Sequence, residues 1–126
     1  MLDDHLVYVH NFVALEESKV ISPAAIGGGC HELSMRYERR GHQGGTATLD
    51  IDGTDCGSVD IARFTPIRWS ITGDGLTIGR SMSLPVSADC RSPFTYGGTI
   101  LEVTVDVDGE TVTDPRARAE QALRAQ

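Results

Sequence analysis

A chain of 126 residues has room for one domain with a real core and none for a second. Its formal charge of −7 and its dispersed basic residues argue against a nucleic-acid partner, because neutralising phosphates takes clustered Lys and Arg. No stretch approaches the apolar length of a membrane span, and the opening Met1-Leu2-Asp3-Asp4 is acidic where a secretory signal is basic, so the expected location is cytoplasmic.

Abundant glycine, and a near absence of 3.6-residue apolar periodicity before the last dozen residues, favour short strands joined by turns. The segment from His5 to Phe12 reads as a strand with both faces fairly apolar, and Glu16 to Ser22 as a second, ended by Pro23. Gly27-Gly28-Gly29 lies in a loop without the preceding strand, following helix or Lys of a phosphate cradle. From His31 to Glu38 polar and apolar residues alternate, sending Leu33, Met35 and Tyr37 inward and Glu32, Ser34, Arg36 and Glu38 outward.

The clearest element is Gly44 to Gly53. Alternation there turns Ala47, Leu49 and Ile51 to a core, and Asp52-Gly53 suits a tight hairpin. The chain returns through Thr54 to Gly57, with Cys56 inward. Val59-Asp60-Ile61, Ile67 to Ile71 and Leu76-Thr77-Ile78 are further short strands, and Gly79 opens a loop reaching Tyr96. A loop of that length is functional or packed down. Thr99 to Val107 closes the sheet system, with Leu101, Val103, Val105 and Val107 in one apolar row. Asp114-Pro115 starts a helix, Asp as N-cap and Pro at the first helical position. The predicted fold is an all-β antiparallel β-sandwich, jelly-roll or concanavalin-like, over residues 1–113, with a short C-terminal α-helix over 114–126 packed on it or on a partner.

Several short motifs recur in an order that resembles the carboxy-terminal region of large bacterial arylsulfatases. They are Leu6-Val7-Tyr8 with Asn11, His31-Glu32-Leu33, Gly44 to Leu49 with Asp52-Gly53, Gly79-Arg80, Pro85-Val86-Ser87, Ser92-Pro93-Phe94, and Gly98-Thr99-Ile100 with Val103-Thr104-Val105. The likeness spans about residues 5 to 108. It implies a non-catalytic β-sandwich appended to a sulfatase, a hydrolase whose chemistry resides in a separate α/β unit. That unit's Cys or Ser followed by Pro and Arg, and its Asp-rich metal site, have no counterpart in this chain. Cys90-Arg91-Ser92-Pro93 has the right residue types in the wrong order, and Ser81 stands where the family usually has Asp after Gly-Arg. The family region also carries further strands before the segment matching Leu6. An accessory sandwich with open sheet edges is therefore expected to work by forming a homodimer or by joining a separate sulfatase domain.

Other residues invite site readings. Asp50 to Asp55 has carboxylates at metal-like spacing, but Gly comes fourth and Ile61 sits where an EF-hand places its bidentate Glu, so a solvated hairpin tip is expected. Cys30, Cys56 and Cys90 form no C-x-x-C pair and read as buried free thiols. His5 and His10 share one strand at odd separation and so face opposite ways, His31 and His42 lie on other segments, and each reads as a satisfied or surface histidine. Arg36, Arg68 and Arg80 could meet carboxylates on neighbouring strands, Arg80 by pinning the long loop through its carbonyls or through Asp74 or Asp89. The competing functional reading is a small-molecule or carbohydrate-binding sandwich, or a minor enzyme. Its groove would be lined by Trp69, Arg80 and Tyr96, with His10 or His31 as the titratable group. No cofactor and no metal are expected.

Overall fold

A computed structural model describes residues 1–40, 44–63, 75–81 and 84–108. The described residues are all-β, every strand pair is antiparallel, and no helix occurs among them. Two elements expected from the sequence lie outside them: the strand Ile67 to Ile71, with Arg68 and Trp69, and the helix over 114–126.

Strands β1 (Val7–Phe12) and β2 (Glu16–Ile21) form the first hairpin. β1 begins two residues later than the pattern predicts. His5 instead makes a bridge to Leu2, and its Nδ1 donates to the Ser22 carbonyl at 2.7 Å. The buried Ser22 hydroxyl accepts from Leu6 N and donates to Ala24 O, which closes the open end of the hairpin. At the other end Val13 and Ala14 both have positive φ, 45° and 61°. The Leu15 N–H bonds to Phe12 O, and the Asn11 carboxamide oxygen accepts from Ala14 N. A β-branched residue in the left-handed region is costly, so this turn is held by its tertiary context. Replacing Val13-Ala14 with Asn-Gly is expected to stabilise the chain by about 1–2 kcal/mol, because both residues tolerate that backbone. Thermal denaturation reads the gain; a lower Tm would show that the turn has a different handedness.

Strands β3 (Leu33–Arg40), β4 (Gly44–Ile51) and β5 (Thr54–Ile61) form the second sheet, in the order β3-β4-β5. Asp52 and Gly53 take the turn at φ 53° and 78°, as expected for a two-residue hairpin of the primed type. One strand, β5, occupies what the sequence divides into a return segment and a separate Val59–Ile61 strand. The register shifts at Leu49/Asp50: Leu49 faces Gly57 and Asp50 faces Asp55, which leaves Cys56 as the extra residue of a β-bulge. Cys56 is half-buried there, and burial, with Asp50 and Asp55 adding, pushes its thiol pKa up. Cys90 is half-buried too, whereas Cys30 is exposed, contrary to the expectation of three buried thiols. Its loop follows three glycines and offers no side chain to cover it.

The hairpin β1-β2 lies against the β4-β5 side of the three-stranded sheet. Gly57 makes this approach possible, since a Cβ there would stand 3.1 Å from a Val20 methyl. Among the described residues, the buried apolar side chains are Ala47, Leu49 and Ile61, all on the face turned toward that hairpin. Beyond it, β6 (Arg80–Ser81) and β7 (Phe94–Thr95) form a two-rung ribbon inside the region predicted as a loop. The predicted strand Leu76–Ile78 does not form; Leu76 and Ile78 are exposed. Three residues cannot sustain a strand without a neighbour to share their hydrogen bonds.

Candidate functional site

The apolar face of the three-stranded sheet is only partly covered. On β3, Leu33 and Met35 were expected to point into a core. They do lie on that face, opposite Ile51 and Leu49, yet they are 38 % and 45 % exposed. The covering hairpin packs on β5 and β4 and meets β3, an edge strand among the described residues, only near Tyr37, through Tyr8. The segment from Gly98 to Asp108 presents a second apolar surface. Its alternation is that of a strand, but no strand forms there, and Leu101, Val103, Val105 and Val107 are 78, 50, 72 and 87 % exposed. The alternation fixes which side chains share a face, whereas a strand also needs a partner for its N–H and C=O groups.

The ribbon brings part of the sequence-predicted site together. Arg80 pairs with Thr95, and Tyr96 N donates to Gly79 O at 2.7 Å, so Arg80 and Tyr96 occupy adjoining rungs. Alternation turns them to opposite faces, and the Tyr96 ring folds over Gly98. Ser81 bonds the Ser92 hydroxyl at 3.2 Å and so ties the ribbon to the residue before Pro93. His10 lies in β1 opposite Ser18, away from this ribbon in sequence and sheet, and His31 precedes β3. Trp69 and His42 lie outside the described residues. Two open depressions lie among the described residues. One of ≈ 340 Å³ is lined by Arg40, Gly44, Gly45, Asp60, Ile61 and Ala62, and one of ≈ 450 Å³ lies between the Asn11–Glu17 turn and Pro85–Ala88. Neither includes Arg80, Tyr96, His10 or His31.

The polar groups serve the fold. Asp52 holds His31 Nδ1 at 2.7 Å and Glu32 N at 2.8 Å, and the His31 bond, helped by that backbone N–H, draws its carboxyl below the usual carboxylate range. Asp50 accepts from Gly53 N and Asp55 from Gly57 N, so the hairpin carboxylates cap local backbone. Among the described residues no three His, Cys, Asp or Glu side chains are grouped to hold a metal ion. Arg36 meets Glu38 on its own strand rather than a neighbouring one, whereas Arg40 spans all three strands through Thr46 and Asp60.

The sequence pattern missed a latch made by the single lysine. Lys19 on β2 binds Asp89 and, at 3.0 Å, Glu17, while the buried Ser87 hydroxyl donates to Glu17. Asp89 is thereby engaged by Lys19, a partner the sequence reading did not consider. The Lys19 hydrogen bond lowers the Asp89 pKa, and the same bond, with that to Glu17, raises the pKa of Lys19. With folded pKa values below their unfolded ones, Asp89 and Asp52 contribute stability above pH ~4 that is lost as pH falls through their folded values. Lys19, raised, contributes stability that persists to pH ~10.5 and disappears above it. Denaturation midpoints are therefore expected to drop as pH falls below about 4, and less so in Asp89→Asn; an unchanged acid limb in that variant would remove the latch from the account.

Compared with known proteins, the chain matches no family model, no curated protein and no solved structure.

Proposed function

We propose that this chain is a non-catalytic β-sandwich module of the arylsulfatase accessory type, acting in the cytoplasm by association: with a second copy of itself, or with a separate sulfatase catalytic domain. The observation that carries the proposal is the uncovered apolar face of edge strand β3, with Leu33 and Met35 open to solvent beside a core that is closed only over β4 and β5. Such an edge recruits another chain unless something blocks it.

Two contacts join motifs that are distant in sequence. Asn11 Nδ2 donates to Val86 O at 2.9 Å, which links the Leu6-Val7-Tyr8/Asn11 motif to Pro85-Val86-Ser87. Ile100 packs beside Gly79, which links Gly98-Thr99-Ile100 to Gly79-Arg80. The packing of β1-β2 on the three-stranded sheet supports the two-layer arrangement.

Light scattering is the test. The purified chain at tens of micromolar is expected to have the mass of a dimer, or to acquire a stable complex mass with an arylsulfatase catalytic domain. A monomer at all concentrations that also ignores such a domain would overturn the association reading. Hydrolysis of an aryl sulfate ester by the chain alone would overturn the non-catalytic one.

A further inference from the structure

We infer that Leu101–Val107 is a donor strand that pairs with the β3 edge of a second copy of this chain. The inference rests on the association proposed above and names its two surfaces. Ile100 anchors the segment beside Gly79; past that point the four apolar residues of the row are at least half exposed. Among the described residues, no backbone group from Gly98 to Asp108 bonds another. The acceptor is β3, whose neighbour in the sheet is β4 on one side. In its own chain the segment leaves Leu33 and Met35 open.

The two surfaces match in length, period and charge. The arm alternates over Leu101–Val107 and β3 over its first six residues, Leu33 to Glu38, so an antiparallel pairing can bring like faces together over three apolar pairs. With Leu101 opposite Tyr37, Val103 falls opposite Met35 and Val105 opposite Leu33, extending the apolar face that β1-β2 leaves uncovered. On the other face the same register sets Glu102 opposite Arg36 and Thr104 opposite Ser34. The same register also brings Asp106 opposite Glu32, and shifting it by two residues toward Arg40 places Glu102 opposite Glu38 instead, so each of these two registers opposes one pair of like charges and the apolar contacts choose between them. The arm carries Glu102, Asp106 and Asp108, and β3 carries Arg36, Arg39 and Arg40, so the approach is attractive overall. A two-fold exchange of arms puts this contact into each dimer twice and leaves no complementary surface for further chains.

The experiment combines a cross-link with a dissociation constant. One tagged chain carries Met35→Cys, and a differently tagged one carries Val103→Cys, both in a Cys30→Ser background. Mild oxidation of the mixture is expected to join the two tags through a disulfide located by peptide mapping. Separately, Val105→Lys is expected to weaken dimerisation at least about tenfold in sedimentation equilibrium, since it places a charge on a buried apolar contact twice per dimer. Val105 is 72 % exposed in the single chain, so circular dichroism of the variant should match the parent. Arg36→Glu is expected to weaken the dimer, and Glu102→Arg added to it to restore affinity. A dimer that persists in Val105→Lys without a mixed cross-link would overturn the donor-strand inference while leaving the association reading intact. In a third chain carrying both Met35→Cys and Val103→Cys, a cross-link confined to single molecules would overturn it by showing the arm folded onto its own sheet. A monomeric parent chain would overturn the donor-strand inference, and the association reading with it if the chain also ignores an arylsulfatase catalytic domain.

Discussion

Leu49→Ala is expected to lower the unfolding free energy by about 3 kcal/mol, read as a shift of the urea midpoint at unchanged slope. Leu49 is 1 % exposed and is the one large side chain among the described residues that is fully buried. Its register partners decide how far the cavity closes. Gly57 on β5 has no side chain to move in, and Val20 behind it is held by the hairpin β1-β2. Met35 on β3 is unbranched and nearly half exposed, so it can swing toward the space and recover part of the lost contact. That places the loss at the lower end of the range for buried leucines, rather than near about 5 kcal/mol. Met35→Ala alone should then cost under about 1.5 kcal/mol, and the double variant more than the two singles added, because the first repair is no longer possible. Additive losses would mean that Met35 does not collapse inward.

What the sequence made legible is what period two and local turn chemistry encode. Thr46 to Asp52 alternates without a break, Asp52-Gly53 is a turn by residue type, and β4 and its hairpin form with the inward residues expected. Where the backbone departs from residue-level rules, the pattern fell short for identifiable reasons. Val13 and Ala14 carry no turn signal; their conformation depends on Asn11, whose carboxamide reaches both the turn and Val86. The β6-β7 ribbon has two residues per strand, too few to show any period. For Leu101–Val107 the pattern gave the faces and left the partner undetermined, because pairing between distant segments is a property of the assembled sheet. The predicted groove fared similarly: Arg80 and Tyr96 do become neighbours, but on a twisted ribbon neighbouring rungs point opposite ways, so proximity does not make a shared pocket.

Gly45→Val is expected to match or exceed the loss at Leu49, about 3 kcal/mol, although it adds apolar volume at a buried position. Its position explains why. A Cβ at Gly45 would stand 2.6 Å from the Tyr37 ring and closer still to the Glu38 carbonyl oxygen. The ring of an edge-strand tyrosine therefore lies across a glycine of the central strand, covering backbone that would otherwise be wet. Tyr8 stands near enough that burial, with Tyr37 adding, raises its pKa, so the ring is boxed from the hairpin side as well. Two collisions of different kinds allow a decisive test. Tyr37→Ala in a Gly45→Ala background removes the ring clash but leaves the carbonyl in place, so it should rescue little of the Gly45→Ala loss. If the second substitution instead restored the parent Tm, the ring would be the whole obstacle and β3 would be free to shift on β4. If Gly45→Val left the Tm unchanged, Tyr37 would not lie over this glycine at all, and the edge strand that is proposed to accept the arm would sit at a different height on the sheet.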